Sequence, residues 1–135
     1  MHKGFIKTAA ILGALSVAIG AFAAHRLKGS ISDFALEIFE TAVKYQFYHV
    51  FALLATGILY KEFPNKLLLW SGRLFIAGII LFSGSLYILS AIKAAVVPGY
   101  NWVGAITPLG GLCFILGWIF IFLGCNQKLK QTIKS

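Results

Sequence analysis

Four stretches of this chain, roughly residues 5–24, 43–60, 68–92 and 102–124, are each about twenty mainly apolar residues long. That is the length an α-helix needs to cross the hydrocarbon core of a bilayer. A 135-residue chain that is 59% hydrophobic and only 12% charged has too little polar surface to cover a water-soluble globule, since ordinary soluble domains are about 25% charged. The sequence therefore predicts an all-α membrane protein, one integral domain over residues 1–135. Its formal net charge of +8 raises nucleic acid as a partner. The basic residues form no tract or stripe, however; they sit between the apolar segments as membrane anchors do, so no nucleic-acid partner is expected.

The N-terminus carries a competing reading. "MHKGFIK", an apolar run and then Ala21-Phe22-Ala23 resemble a signal peptide with its cleavage site. The run Phe5–Ala24 is longer than the usual apolar core of about 7–15 residues, which favours a retained first span. The positive-inside rule then sets the orientation. Lys3, Lys7, Lys61, Lys66, Arg73, Lys128, Lys130 and Lys134 fall on one side, and Arg26, Lys28, Lys44 and Lys93 on the other. Both termini are expected in the cytoplasm, in a multi-pass protein of the cytoplasmic (inner) membrane.

In the long first connection, "SISDFALEIFETAVKY" places Ile31, Phe34, Ala35 and Ile38 at helical spacing. Ser30 or Ser32 is suited to cap its start, and the early acids suit the helix dipole. It reads as an amphipathic interfacial helix between spans one and two, or as a plain N-terminal extension of span two.

Small residues recur every seven positions. Span four has Gly110, Gly117 and Gly124; span three has Ser71, Gly78 and Ser85, with Ala77, Gly84 and Ala91 as a second set; span one has Ala9, Ser16 and Ala23, and also Gly13 and Gly20. A seven-residue repeat falls about 20° short of two turns, so each set forms a nearly straight stripe. Such stripes let helix backbones approach closely in lipid. The expected architecture is a compact, left-handed antiparallel four-transmembrane-helix bundle. Thr107-Pro108 is expected to kink span four, because proline lacks the helical N–H. Cys113 and Cys125, twelve residues apart, would lie roughly 18 Å apart on one helix, beyond disulfide reach.

Four stretches in order, "AFAAHRLK", "ETAVKYQFYHVFALL", "GIILFSGSLYILS" and "VGAITPLGGLCFILGW", closely resemble the segments of the bacterial family called domain of unknown function 423. The resemblance runs from about Phe5 to Trp118. It implies a small four-span inner-membrane bundle and assigns no activity.

The polar residues within the spans are the candidates for chemistry, because an ionisable group is costly in a membrane. His49 is expected one to two turns below the outer face, and His25 ends span one on that side, with Tyr45 and Gln46 near. Two histidines offer a haem or metal site, a proton relay, or a structural hydrogen bond that ties helices together. No Cys-x-x-Cys or further histidine spacing supports a metal, and no cofactor is expected. "FSGSLY" adds Ser83, Ser85 and Tyr87, as packing hydroxyls or as the lining of a polar path. A serine nucleophile is disfavoured, because Gly-Ser-Leu lacks the Gly-x-Ser-x-Gly elbow. Arg73 is expected to reach toward phosphates or Glu62.

None of the four acids, Asp33, Glu37, Glu40 and Glu62, lies in a span core, which weakens a proton-coupled exporter. No phosphate loop or dinucleotide fingerprint is present. The favoured function is a structural, lipid-contacting or accessory membrane protein, with lipids, a second copy or another membrane protein as partners. The alternatives are an oligomeric permeation protein with a polar path along Ser16, His49, Thr56, Ser83 and Ser85, and a cofactor or redox protein using His25 and His49. The favoured reading expects His49 to form a polar clasp with His25, Gln46 or Tyr87.

Overall fold

The computed structural model describes residues 1–99 and 101–134, with side chains for residues 1–99 and 102–126. Lys128, Lys130 and Lys134, which enter the orientation argument, lie outside the described side chains. Among the described residues there are four long helices, α1 (Lys3–Leu27), α2 (Asp33–Leu59), α3 (Lys66–Ala94) and α4 (Thr107–Lys134), with a short 3-10 helix, Asn101–Ala105, before the last. Among the described residues there is no strand. By length and composition three helical stretches, Lys3–Leu27, Lys66–Ala94 and Trp102–Asn126, are apolar enough to cross a membrane. Helix α2 is long enough but carries Lys44, Gln46 and His49 in its middle.

Local chemistry sets the helix ends. The His2 ring caps α1, its Nδ1 accepting the Phe5 N–H at 3.2 Å, while the His2 N–H donates to the Gly57 carbonyl at 2.8 Å. The last turn of α1, Ala23–Leu27, widens to π geometry, and the Lys28 N–H reaches back five residues to the Ala23 carbonyl. Gly29 then reverses the chain at φ +80°, a conformation in which a side chain is strained. Ser32 caps α2 by accepting the Ala35 N–H at 3.3 Å. Asn65 caps α3 through the Leu68 N–H at 3.1 Å and donates across to the Gly124 carbonyl at 3.0 Å.

Two expectations change. There is no separate interfacial helix between spans one and two: residues from Asp33 run without a break into α2, because neither glycine nor proline interrupts the segment before Gly57. Pro108 does not kink a helix either. It sits in the first turn of α4, where the missing N–H would have no helical partner anyway.

Consecutive helices pack in series, α1 on α2, α2 on α3 and α3 on α4. The closest contact is between α3 and α4. Going up α3 and down α4, Leu68 faces Gly124, Phe75 faces Gly117 and Phe82 faces Gly110. A Cβ at Gly117 would lie 2.6 Å from the Phe75 ring, and one at Gly110 would collide with the backbone of Phe82. Gly78 returns the contact, seating the Phe114 ring. Between α1 and α2 the fit is looser at Gly13 and Gly20, which meet Val50 and Val43 at an ordinary 3.4 Å, and tight at Gly57, where a Cβ would lie 2.9 Å from Ile6. Gly84 packs against nothing within 4 Å, so the expectation that it holds a helix contact is corrected; it faces a groove rather than a neighbouring helix.

Phe5, Ala9, Val50, Leu53, Phe75, Ile79 and Phe114 form the core, so α1 is part of the packed structure. Large apolar side chains such as Ile11, Ile80 and Phe122, each more than 60% exposed, cover the outside. Arg73 lies over the Trp70 ring, 5.2 Å from its centroid.

The α3–α4 contact generates a contrast between two glycines. Gly110→Val has no space to occupy and is expected to cost about 1–3 kcal/mol or more by overpacking. Gly84→Ala meets open space, and higher helix propensity makes it neutral or stabilising by up to about 1 kcal/mol. Thermal unfolding in mild detergent compares the two; equal destabilisation would contradict the packing described.

Candidate functional site

Away from water, a hydroxyl on a helix must find an acceptor inside the protein. Helix α3 meets that demand in two directions. Toward α2, Ser83 donates to the Ala42 carbonyl at 2.8 Å and Ser90 to the Ala35 carbonyl at 2.6 Å. Both pairs are seven residues apart, so they repeat one register along antiparallel helices. Toward α4, Ser71 donates to the Gly117 carbonyl at 2.9 Å, and Ser85 pairs with the Thr107 hydroxyl at 2.7 Å. A π turn at Ile79–Ser83 lies in this stretch of α3.

A second set of bonds joins three helices. The Tyr87 hydroxyl on α3 donates to Gln46 Oε1 on α2 at 2.8 Å. Gln46 Nε2 in turn points at the Leu12 carbonyl on α1 at 3.4 Å, and Ser16 donates to the same carbonyl at 2.8 Å. Gln46 is 4% exposed, so its amide is committed to these partners.

His49 forms its own centre one turn further along α2. Its ring stacks face to face on Phe114 of α4, with centroids 3.4 Å apart and planes 6° from parallel. Nδ1 lies 2.8 Å from the Tyr45 carbonyl, and the Trp118 indole N–H points at Nε2 at 3.4 Å. The partners assign the protons: a carbonyl only accepts and an indole N–H only donates, so Nδ1 bears hydrogen and Nε2 does not. A neutral imidazole of this tautomer has both nitrogens engaged. For Nε2 to take a metal or a proton, Trp118 must withdraw.

The structure divides the residues singled out in the sequence. Gln46 and Tyr87 come together; His49 sits beside them in α2 but bonds to other partners. His25 joins neither group: it is exposed on the π turn of α1, without a hydrogen bond or ring contact to His49. The expected clasp of His49 with His25, Gln46 or Tyr87 is therefore corrected: His49 bonds to Tyr45 and Trp118 instead, and His25 lies on an exposed side of the π turn, off the packed face. Tyr45 contributes its carbonyl to His49, while its ring, 40% exposed, rests on Phe82 at 4.6 Å. Ser83 and Ser85 face different helices and line no common path. Among the described residues no three His, Cys, Asp or Glu side chains gather as a metal-binding group, and no buried side-chain nitrogen or oxygen lacks a partner.

Sequence reasoning missed Trp118, Phe114, Ser90 and Asn65. Ser90 was signalled by its seven-residue spacing from Ser83. Phe114 and Trp118, four apart, share one face of a helix, but nothing in the sequence points that face at His49.

Residues 19–111 match the family described as Protein of unknown function (DUF423). The chain is 44% identical over 121 residues to a UPF0382 membrane protein of Staphylococcus aureus, covering 90% of this chain and 93% of that one. It is 43% identical over 128 residues to the UPF0382 membrane protein YwdK of Bacillus subtilis, covering 94% and 99%. A UPF0382 membrane protein of Staphylococcus haemolyticus is 40% identical over 121 residues, covering 90% and 93%. No solved structure matches the chain.

The Tyr87–Gln46 bond makes the site measurable. Tyr87→Phe and Gln46→Leu, singly and together, are expected to yield a coupling energy of about 0.6–1.7 kcal/mol in a double-mutant cycle of detergent unfolding, the range for hydrogen bonds between membrane helices. His49→Phe keeps an aromatic ring against Phe114 but removes both polar contacts, and is expected to lower stability by about 1–2 kcal/mol without loss of membrane insertion.

Proposed function

The chain belongs to the family described as Protein of unknown function (DUF423), and from that premise we propose that it is a four-span bundle of the cytoplasmic membrane with a structural, lipid-contacting or accessory role. Both termini face the cytoplasm in this reading. One observation carries it: among the described residues every buried side-chain nitrogen and oxygen has a hydrogen-bond partner within the protein, and Ser71, Ser83, Ser90 and the Gln46–Tyr87 pair spend theirs on joining helices.

Helix α2 acts as the fourth span. Its 27 residues are about 40 Å long, against a hydrocarbon core of about 30 Å. Of the polar groups that lower its hydropathy, Gln46 and His49 are buried, shielded from lipid by the packing of α2 between α1 and α3, while the exposed Lys44 has a stem long enough to carry its charge toward the headgroups. A helix crosses a bilayer with such groups when they face its neighbours.

The same geometry argues against the alternatives. A polar path along Ser16, His49, Thr56, Ser83 and Ser85 is disfavoured because Ser16, Thr56 and Ser83 donate to helix carbonyls, Ser85 to Phe82 or Thr107, and the His49 nitrogens face Tyr45 and Trp118. A two-histidine cofactor site is disfavoured because His25 and His49 belong to different surroundings.

Topology and role are tested separately. In a Cys113→Ala, Cys125→Ala background, single substitutions Ser30→Cys in the α1–α2 connection and Lys61→Cys in the α2–α3 turn are exposed to a membrane-impermeant maleimide. Labelling of Ser30→Cys but not Lys61→Cys in intact cells is expected; both sites reacting from outside, or neither, would overturn the four-span arrangement. An accessory role predicts a recurrent crosslinked adduct with a second membrane protein in native membranes. Selective solute flux in proteoliposomes of the purified chain would replace that role with permeation.

A further inference from the structure

We infer that the groove on the flank of α3 is a binding site for one acyl chain of a membrane phospholipid. The inference deepens the lipid-contacting part of the proposed function and rests on its membrane reading. The groove, about 720 Å³, runs between the C-terminal half of α3, the connection through Trp102 and the start of α4. Along α3 it extends from Ile80 to Ile92, about 18 Å at 1.5 Å per residue.

Its walls suit a hydrocarbon chain and little else. Ile80, Ile88, Ile92 and Ile106 dominate them, and within the groove the Ser85 hydroxyl is already engaged with the Phe82 carbonyl and the Thr107 hydroxyl, which leaves the Trp102 indole N–H, at the connection end, as the other side-chain polar group. A polar ligand would find too few side-chain partners along the length of the groove. A second transmembrane helix is the wrong shape as well, because helix contacts in membranes favour small residues and only Gly84 and Ser85 here are small. The α3–α4 seam, with three glycines facing Leu68, Phe75 and Phe82, shows what a helix contact in this protein looks like.

Gly84 gives the groove its depth. It is the glycine of α3 that touches no neighbouring helix, so the missing side chain makes room rather than a packing contact. Trp102, 62% exposed, stands at the connection end of the groove. Tryptophan favours the headgroup level of a bilayer, which sets the mouth at the interface and the Ile80 end toward mid-membrane. The groove is also continuous with the apolar exterior: Ile80, Ile88 and Trp102 are all counted among its exposed large side chains.

The test reconstitutes the full chain in vesicles of phosphatidylethanolamine and phosphatidylglycerol containing a trace of phosphatidylcholine with a photoactivatable diazirine in mid-chain. Labelling is mapped by mass spectrometry after irradiation. The expected result is several-fold more adduct at Ile88 and Ile106 than at Ile11 and Val17, exposed residues of α1 that report ordinary lipid contact. Gly84→Phe fills the groove and is expected to abolish the excess while the α1 labelling stays constant. Ile88→Trp, judged at Ile106, is a second filling variant in case the first disturbs the helix. Equal labelling at the two surfaces, or an excess that survives both variants, would overturn the acyl site. So would efficient disulfide dimers of Ile88→Cys, which would mean that a second copy covers the groove. Loss of labelling on α1 too would instead overturn the membrane reading beneath it.

Discussion

Helices in an apolar surrounding gain nothing from the hydrophobic effect by touching one another; their contacts must come from close packing and from polar groups that have no water to turn to. The rest of this structure depends on how α3 meets that constraint. One side seats Leu68, Phe75 and Phe82 against the glycines of α4, and the Ser71 hydroxyl closes on the Gly117 carbonyl beside them. Another side sends Ser83 and Ser90 to the carbonyls of Ala42 and Ala35. Ala35 and Ala42 are fully buried, and a larger residue at either would hold α2 too far away for a hydroxyl to reach. Small residues and hydroxyls therefore act together: the first bring the backbones close, and the second fix the register.

That arrangement explains how α2 is accommodated. It is the most polar of the four helices in its middle, yet Gln46 and His49 are buried. Gln46 is held between Tyr87 and the Leu12 carbonyl, so α1 is joined through it to α3, which it also meets where the Phe5 ring lies on Gly72. His49 lies between α2 and α4, its ring flat on Phe114 and each nitrogen engaged. An imidazole is well suited to this place: flat enough to stack and apolar on its faces, with one donor and one acceptor at its edge. Chemistry at His49 would require the contacts around it to open, whereas helix cohesion requires them to stay.

The contrast between glycines separates packing from space. Gly110 and Gly117 are places where a side chain of the opposite helix already occupies the room a Cβ would need. Gly84 lies on the facing helix, α3, in an equally regular seven-residue stripe, yet it opens onto an apolar groove. Periodicity marks a face of a helix, but it does not say what lies opposite that face.

The sequence by itself determined the membrane class, the four long helical segments and, as one of two candidates, the cap at Ser32, because apolar length and local hydrogen bonding are properties of a segment and its immediate neighbours. It also brought out the glycines of span four and the polar residues Gln46, His49, Ser83 and Tyr87. Only the tertiary structure decided which of these meet. A one-residue rotation or a one-turn slide between helices would reassign each partner, and neither is encoded within a segment. Thus His25 and His49, similar in kind and expected at similar depth, separate because His25 falls on an exposed side of the π turn at Ala23–Leu27 while His49 falls on a packed side of α2. Trp118 reaches His49 because the Phe75–Gly117 contact fixes the register of α4 against α3. The amphipathic segment after Asp33 is no helix apart, because Ala35 and Ala42 meet Ser90 and Ser83 in one continuous register along α3.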